Sequence, residues 1–268
     1  MKNLIKAIVN CLPGAMPYRV LDWTRRLRYA AVRRQQRFER DLRSRVGDPE
    51  TVLQGPFAGM RYKPIGYFGG LLPKLLGTYE LELTEALARL CRFGARVIVD
   101  IGAAEGFYAT GLAIRNPDAQ VIAYEISRPA RTLIRRMARS NGVYDRVTVK
   151  GKCTVGALRR DLAAVPYAAV LCDCEGEEDL LIDPEAVPAL SRSFVLVEVH
   201  DAYSPGVAVR LKERFKVTHN IDVIVSRPRK LDDLPCGLEL SEHQVACATT
   251  EGRESAEWLL FEPKVRVL

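Results

Sequence analysis

The sequence predicts an α/β domain: a mostly parallel seven-stranded sheet with helices on both faces, closed by an antiparallel hairpin. Three observations predict it. From Ala95 onward, strand and helix patterns alternate five times, as they do when a chain lays down parallel strands one crossover at a time. The apolar runs, such as VIVDI and SFVLVEV, have strand length and fall well short of the ~20 apolar residues that a membrane-spanning helix requires. The tail abandons the alternation, because HNIDVIVS and EWLLFEP are strand-like segments joined by a polar stretch without a clear long helix.

In chain order, the first element is a basic amphipathic helix. Between Tyr18 and Val46, the residues Trp23, Leu27, Ala31, Phe38 and Leu42 recur at helical steps, with a slip near Gln35, while arginines fill the other faces. Gly47, Asp48 and Pro49 end it. Residues 1–50 hold 12 Lys and Arg against 5 Asp and Glu, and residues 51–268 balance, so the net charge of +7 belongs to this extension. Its apolar stripe suits packing on the main domain or on a second copy of the chain in a homo-oligomer. Its arginines, over residues 18–46, suit the anionic head groups of a membrane surface. Nucleic acid ranks last, because no base-stacking aromatics interleave the arginines. At the very start, Lys6 splits the apolar patch and no A-x-A cleavage site follows, which reads as a mature N-terminus. The expected location is the cytoplasm, with a peripheral seat on the inner face of the membrane if the helix binds lipid.

Residues 51–268 form the second predicted domain. Its first part, residues 51–80, includes the glycine-, proline- and aromatic-rich run GPFAGMRYKPIGYFGGLLPKLLGTYE and is placed to cap a pocket. The helix-like segment LELTEALARLC follows. The five strand-then-helix units are RVIVDI with Gly106 to Ile114, QVIAYEI with Pro129 to Asn141, RVTVKG with GALRRDLAAV, AAVLCD with a stretch through Leu190, and SFVLVEV with Val207 to Phe215. The seven cysteines are odd in number, lack zinc spacing and mostly sit in apolar runs, which reads as buried reduced thiols. Cys172 and Cys174, at i and i+2 of a strand, are expected to share a face.

In such a sheet the ligand sits at the carboxyl ends of the strands, where the strand order reverses. The stretch VIVDIGAAEGFYATGLA, Val97 to Ala113, lies at that end. Its G-x-x-x-G spacing is not the G-x-G-x-x-G that cradles a dinucleotide pyrophosphate. Asp100, the close backbone approach that glycine permits, and free N–H groups at a helix start suit a ligand with a carboxylate and an ammonium. Glu125 ends the second strand, where a carboxylate accepts both hydroxyls of a ribose. Amino acid plus ribose implies S-adenosylmethionine.

Later segments add a family resemblance. VLCDCEGEEDLL, Val170 to Leu181, followed by FVLVEVHD, Phe194 to Asp201, resembles the paired D-x-E-G-x-E and V-E-x-H segments of FkbM-type methyltransferases. The likeness extends to VDIGAAEGFYA, YEISRPA and GTYELEL, over roughly residues 75 to 201, and more loosely to EWLLFEP. It implies a Rossmann-like class I S-adenosylmethionine-dependent methyltransferase, with seven strands, the last pair antiparallel, and O-methylation of a hydroxyl on a sugar, glycolipid or secondary metabolite. The chain departs from the pattern at Cys174, where the family has Val, and in its basic N-terminal helix.

Residue roles follow from the strand-end positions and the resemblance together. Asp100, Gly102, Ala103, Glu105, Gly106 and Tyr108 are expected around the methionine end, Glu125 on the ribose, and Ile126, Cys153 and Thr154 about the adenine. Glu80 is expected to close over the cofactor. Packing or helix-start roles for Tyr108, Cys153 and Glu105 are the plainer alternatives. Methyl transfer to an alcohol needs the oxygen aligned in line and its proton removed. His200 ends the fifth strand, and an ordinary histidine pKa of ~6.5 suits a general base, with Asp173 and Glu175 beside it. Glu198 and Asp201 add to the acid cluster, and a Mg2+ ion held by Asp173, Glu198 and His200 is the other way to lower the hydroxyl pKa. Two further classes compete with this reading: an RNA methyltransferase, although an N/D-P-P-Y-type signature is absent after the fourth strand, and a non-catalytic cofactor-binding scaffold on a membrane.

Overall fold

The computed structural model describes residues 50–62, 70–238, 240, 242–249 and 256–264. The expected basic helix at 18–46 lies outside the described residues, as does the 63–69 part of the pocket-capping segment.

The strands are β1 (Val97–Ile101), β2 (Gln120–Tyr124), β3 (Val147–Lys150), β4 (Ala168–Cys172), β5 (Phe194–Val199), β6 (His219–Val225) and β7 (Glu257–Pro263). They form one sheet in the order β3-β2-β1-β4-β5-β7-β6. The first five pair in parallel, and β7 inserts antiparallel between β5 and β6. The expected alternation and the closing hairpin are both present.

The helices are α1 (Leu71–Leu76), α2 (Thr84–Phe93), α3 (Phe107–Arg115), α4 (Arg128–Ser140), α5 (Val155–Leu162), α6 (Glu178–Leu181), α7 (Val207–Phe215) and α8 (Glu242–Thr249). Local chemistry sets their ends. Ser127 caps α4 by accepting the Ala130 amide, with Pro129 in its first turn, and left-handed Gly94 stops α2.

Helices cover both faces of the central strands, so those strands are apolar on both. On one face Ile98, Ala169, Leu171 and Leu196 pack in a core with Leu87, Leu90, Leu112 and Ile134. On the other, Val99, Ile101, Val170, Val195 and Val197 pack with Leu158, Leu162, Leu211 and Phe215. In β1, β2, β4 and β5 the polar residues accordingly fall at or next to the strand ends.

Three expectations are refined or corrected. A helix of 8 residues, α8, occupies the tail stretch read as lacking a clear long one; it gave no helical signal because EHQVACAT clusters its apolar residues instead of spacing them in a stripe. β4 ends at Cys172, so Cys174 lies beyond the strand, although the two sulfurs approach to 3.6 Å. Cys236 is exposed in a turn rather than buried.

Candidate active site

A cavity of about 1230 Å³ opens at the carboxyl ends of the parallel strands, on either side of the point where strand order reverses between β1 and β4. Of the residues expected there, Gly102, Ala103, Tyr108, Glu125, Ile126, Cys153, Asp173, Glu175, Glu198 and His200 line it. Glu80, Asp100, Glu105, Gly106 and Thr154 do not. From the capping segment, Lys74 and Tyr79 reach it.

The glycine turn is built by close approach. Gly102 has φ +84°, and a Cβ there would fall 1.7 Å from the Asp173 carbonyl oxygen. The turn's amides are mostly used internally: Gly102 and Ala103 donate to the Tyr124 carbonyl, Gly106 donates to that of Ala103, and Ala104 donates to Glu125. The turn therefore offers a ligand fewer free N–H groups than its spacing suggests. Glu125 is buried at the end of β2, where its Oε2 accepts the Ala104 amide at 2.9 Å and its Oε1 the Ser127 amide at 2.6 Å. Each oxygen keeps a second lone pair for a hydroxyl. Beside it, Ile126 stands 75% exposed at the rim, an apolar surface for a flat ring.

The expected residues outside the cavity have other partners. Glu105 is buried outside the cavity lining, where Lys74 and the Tyr62 hydroxyl both bind its Oε1. Burial, then the charge of Glu105, pushes the Tyr62 phenol well above its ordinary value. Lys74, which lines the cavity and lies 4.7 Å from the Tyr79 ring centroid, escaped the sequence reading. A lone lysine inside LLPKLL was the available signal. Glu80 is buried in left-handed backbone and accepts the Tyr108 hydroxyl. Thr154 caps α5, and Gly106, at φ +95°, caps α3. Asp100 is sealed under the turn, and neither of its carboxyl oxygens has a hydrogen-bond partner among the described residues. Burial, aided by the charge of Asp173, pushes its carboxyl up to about 8.

The DCEGEE and EVHD segments meet on the opposite wall. His200 follows β5, and its Nδ1 lies 2.7 Å from Oε1 of Glu178, a fully buried carboxylate. Its Nε2 lies 3.7 Å from Asp173 and 3.6 Å from Glu175, longer than hydrogen bonds. Burial alone would lower the histidine pKa, but the hydrogen bond and charge of Glu178, with Asp173 and Glu198, raise it to about 9. The ordinary pKa assumed from the sequence is thus corrected upward, because the surrounding carboxylates favour the protonated ring. Asp201, also at the rim, accepts the Ala208 amide at 3.5 Å.

The residues proposed for Mg2+ do not come together as expected. Asp173, Glu175 and His200 offer ligand atoms within 4.8 Å of one another, and Glu198 is outside that group. A hard ion prefers oxygen donors, and this group supplies only two carboxylates beside an imidazole nitrogen, with Glu198 standing apart. The set does not fit magnesium.

A parallel sheet ordered 3-2-1-4-5, extended by an antiparallel β7 slotted before β6, decides the architecture. The fold is the Rossmann-like methyltransferase fold. The chain is 29% identical over 150 residues to the release factor glutamine methyltransferase of Chlorobaculum tepidum, covering 54% of this chain and 47% of that enzyme. The chain thus spans about half the length of the curated relative it matches. Among solved structures, it is similar to a putative rRNA-methylase from Clostridium thermocellum, at TM-score 0.45 and 12% identity over 69% of this chain and 97% of that one. An O-methyltransferase from Bacillus cereus in complex with SAH is similar at TM-score 0.42 and 12% identity over 66% and 78%. No protein-family model matches the chain, and the FkbM-type resemblance stands on its motifs alone.

Proposed function

We propose that the protein is an S-adenosylmethionine-dependent methyltransferase that methylates a hydroxyl group of a sugar, glycolipid or secondary metabolite. The observation that carries this reading is the buried Glu125 carboxylate, which two backbone amides aim along a strand-end cavity beside the exposed Ile126. A carboxylate so held accepts a vicinal diol, and Ile126 supports an adenine. Gly102, Ala103 and Tyr108, with Lys74 and Tyr79, then surround the amino-acid end. Lys74 brings a cation toward the ligand carboxylate. Cys153 lines the cavity on the adenine side, while Asp100, Glu80 and Thr154 shape its walls from behind.

The bound cofactor supplies an electrophilic methyl carbon on a sulfonium. The chain has to align the acceptor oxygen and take its proton. His200 faces the cavity through Nε2, where it takes the hydroxyl proton, and Asp173 and Glu175 lie beside it to orient the hydroxyl. The 150-residue match to a methyltransferase supports the reaction class. A hydroxyl acceptor is favoured because Asp173-Cys174-Glu175-Gly176 follows β4 in place of an N/D-P-P-Y-type signature.

Calorimetric titration of the full chain with S-adenosylmethionine tests the reading. Binding is expected, and Glu125→Ala should weaken it by roughly 10- to 100-fold, the value of charge-assisted hydrogen bonds. Cell extract incubated with methyl-labelled S-adenosylmethionine should gain label with the wild type and much less with His200→Ala. No binding and no transfer by either protein would sink the proposal.

A further inference from the structure

We infer that Glu178 is the positioning residue of the site: it grips His200 by Nδ1 so that Nε2, the proton-accepting atom, faces the cavity. This rests on the methyl-transfer reading above. Glu178 is the last acid of the D-x-E-G-x-E segment, and neither the sequence nor the cavity lining assigns it a task.

Its placement is specific. Glu175 and Gly176 both take positive φ, 58° and 114°, and fold the chain back so that α6 begins at Glu178. A Cβ at Gly176 would meet the Cβ of Tyr203 at 2.8 Å, so the turn packs against the segment after β5. The Gly176 amide then donates to Oε1 of Glu178 at 3.0 Å, and the same oxygen meets His200 Nδ1 at 2.7 Å. The carboxylate is wholly excluded from solvent, and its Oε2 has no hydrogen-bond partner among the described residues. A buried, half-satisfied carboxylate is costly, and the imidazole is its compensating charge. This explains why the DCEGEE and EVHD segments occur together: one supplies the grip and the other the ring. His219 has the opposite character, with Nε2 on the Ser193 carbonyl, Nδ1 on Thr218 and no opening to the cavity.

The chemistry balances with this geometry. The acceptor oxygen forms a bond to the methyl carbon, the carbon–sulfur bond breaks with its electron pair going to sulfur, and the hydroxyl proton passes to Nε2. Glu178 stabilises the resulting imidazolium, which returns its proton to water at the mouth. The groups facing the ring are Glu178 from α6, Asp173 and Glu175 from the β4–α6 loop, Glu198 from β5 and the Tyr203 ring at 6.1 Å. Four acids favour the protonated ring, so the base form, and with it the transfer rate, should grow as pH rises toward about 9.

The test is nuclear magnetic resonance of the full chain labelled in histidine, with the His200 signal identified by its loss in His200→Gln. In the wild type, His200 should titrate near 9. Above that pH it should hold its proton on Nδ1 and leave Nε2 bare. Glu178→Gln should move the titration down by at least one pH unit, and Glu178→Asp should restore part of the shift. A wild-type His200 that titrates at its ordinary value, or that carries its neutral proton on Nε2, overturns the inference even if the variants do not fold. So does a folded Glu178→Gln with an unmoved titration. Absence of S-adenosylmethionine binding in calorimetry would instead strike at the methyl-transfer reading, with the histidine titration still deciding the grip.

Discussion

Asp100 is the fourth residue of β1, whose other four residues are apolar, and the glycine turn closes over it. An unfolded aspartate ionises near ~3.9, whereas the folded one keeps its proton until about 8. Between those values the folded state binds more protons than the unfolded state, so this residue makes stability fall as pH rises. Asp100→Asn removes that term. Its stability relative to wild type should climb from pH 4 to pH 8, as read from urea unfolding midpoints; a flat difference would show that the carboxyl is ionised in the fold. His200 adds a loss at higher pH, because its raised folded pKa stabilises fully below ~6.5 and fades as pH passes about 9. Single side chains were unevenly legible. Glu125 could be read because an acid closing an apolar strand has one place to go. Glu105 could not, because its partners Lys74 and Tyr62 lie 31 and 43 residues upstream.

At the scale of elements, the parallel units were readable because mostly apolar strands alternate with helical stretches, two of which carry their own side-chain caps, Ser127 and Thr154. The late elements were not. α8 lacks a helical stripe, and the insertion of β7 between β5 and β6 leaves no local mark, because the pairing joins residues far apart in the chain. β7 carries the fully buried Trp258, opposite Glu198 of β5 and Ile224 of β6. Trp258→Ala should therefore cost about 3–5 kcal/mol, the usual toll for emptying a core aromatic site. Urea denaturation would measure it, and a loss below about 1 kcal/mol would mean that the two strands do not depend on this side chain.

For the molecule as a whole, the cavity brings together strand ends that are distant in the chain, so a ligand there ties separate units to one another. Binding to the native state alone should stabilise it by about 2.7 kcal/mol at a ligand concentration 100 times Kd. S-adenosylhomocysteine, the expected product, should accordingly raise the unfolding temperature of the wild type. At the same concentration it should do so much less for Glu125→Ala, and equal shifts would place the ligand elsewhere. The +7 charge concentrated in residues 1–50 leaves the sheet-bearing part electrically balanced.

Local pattern was enough to place the strand-helix units in chain order and to find the acids near the strand ends, because apolar periodicity and chain-adjacent turns are local properties. The FkbM-type resemblance added the expectation that DCEGEE and EVHD share a site. What those residues do to one another depends on contacts made in the folded chain. Folding withdrew Glu105 into the core with Lys74, occupied the turn's amides, and set Glu178 beneath His200, raising the pKa of an ordinary histidine. The reason is that pKa and orientation depend on burial and on charges within a few ångströms, and 22 residues separate Glu178 from His200 until β4 and β5 pair.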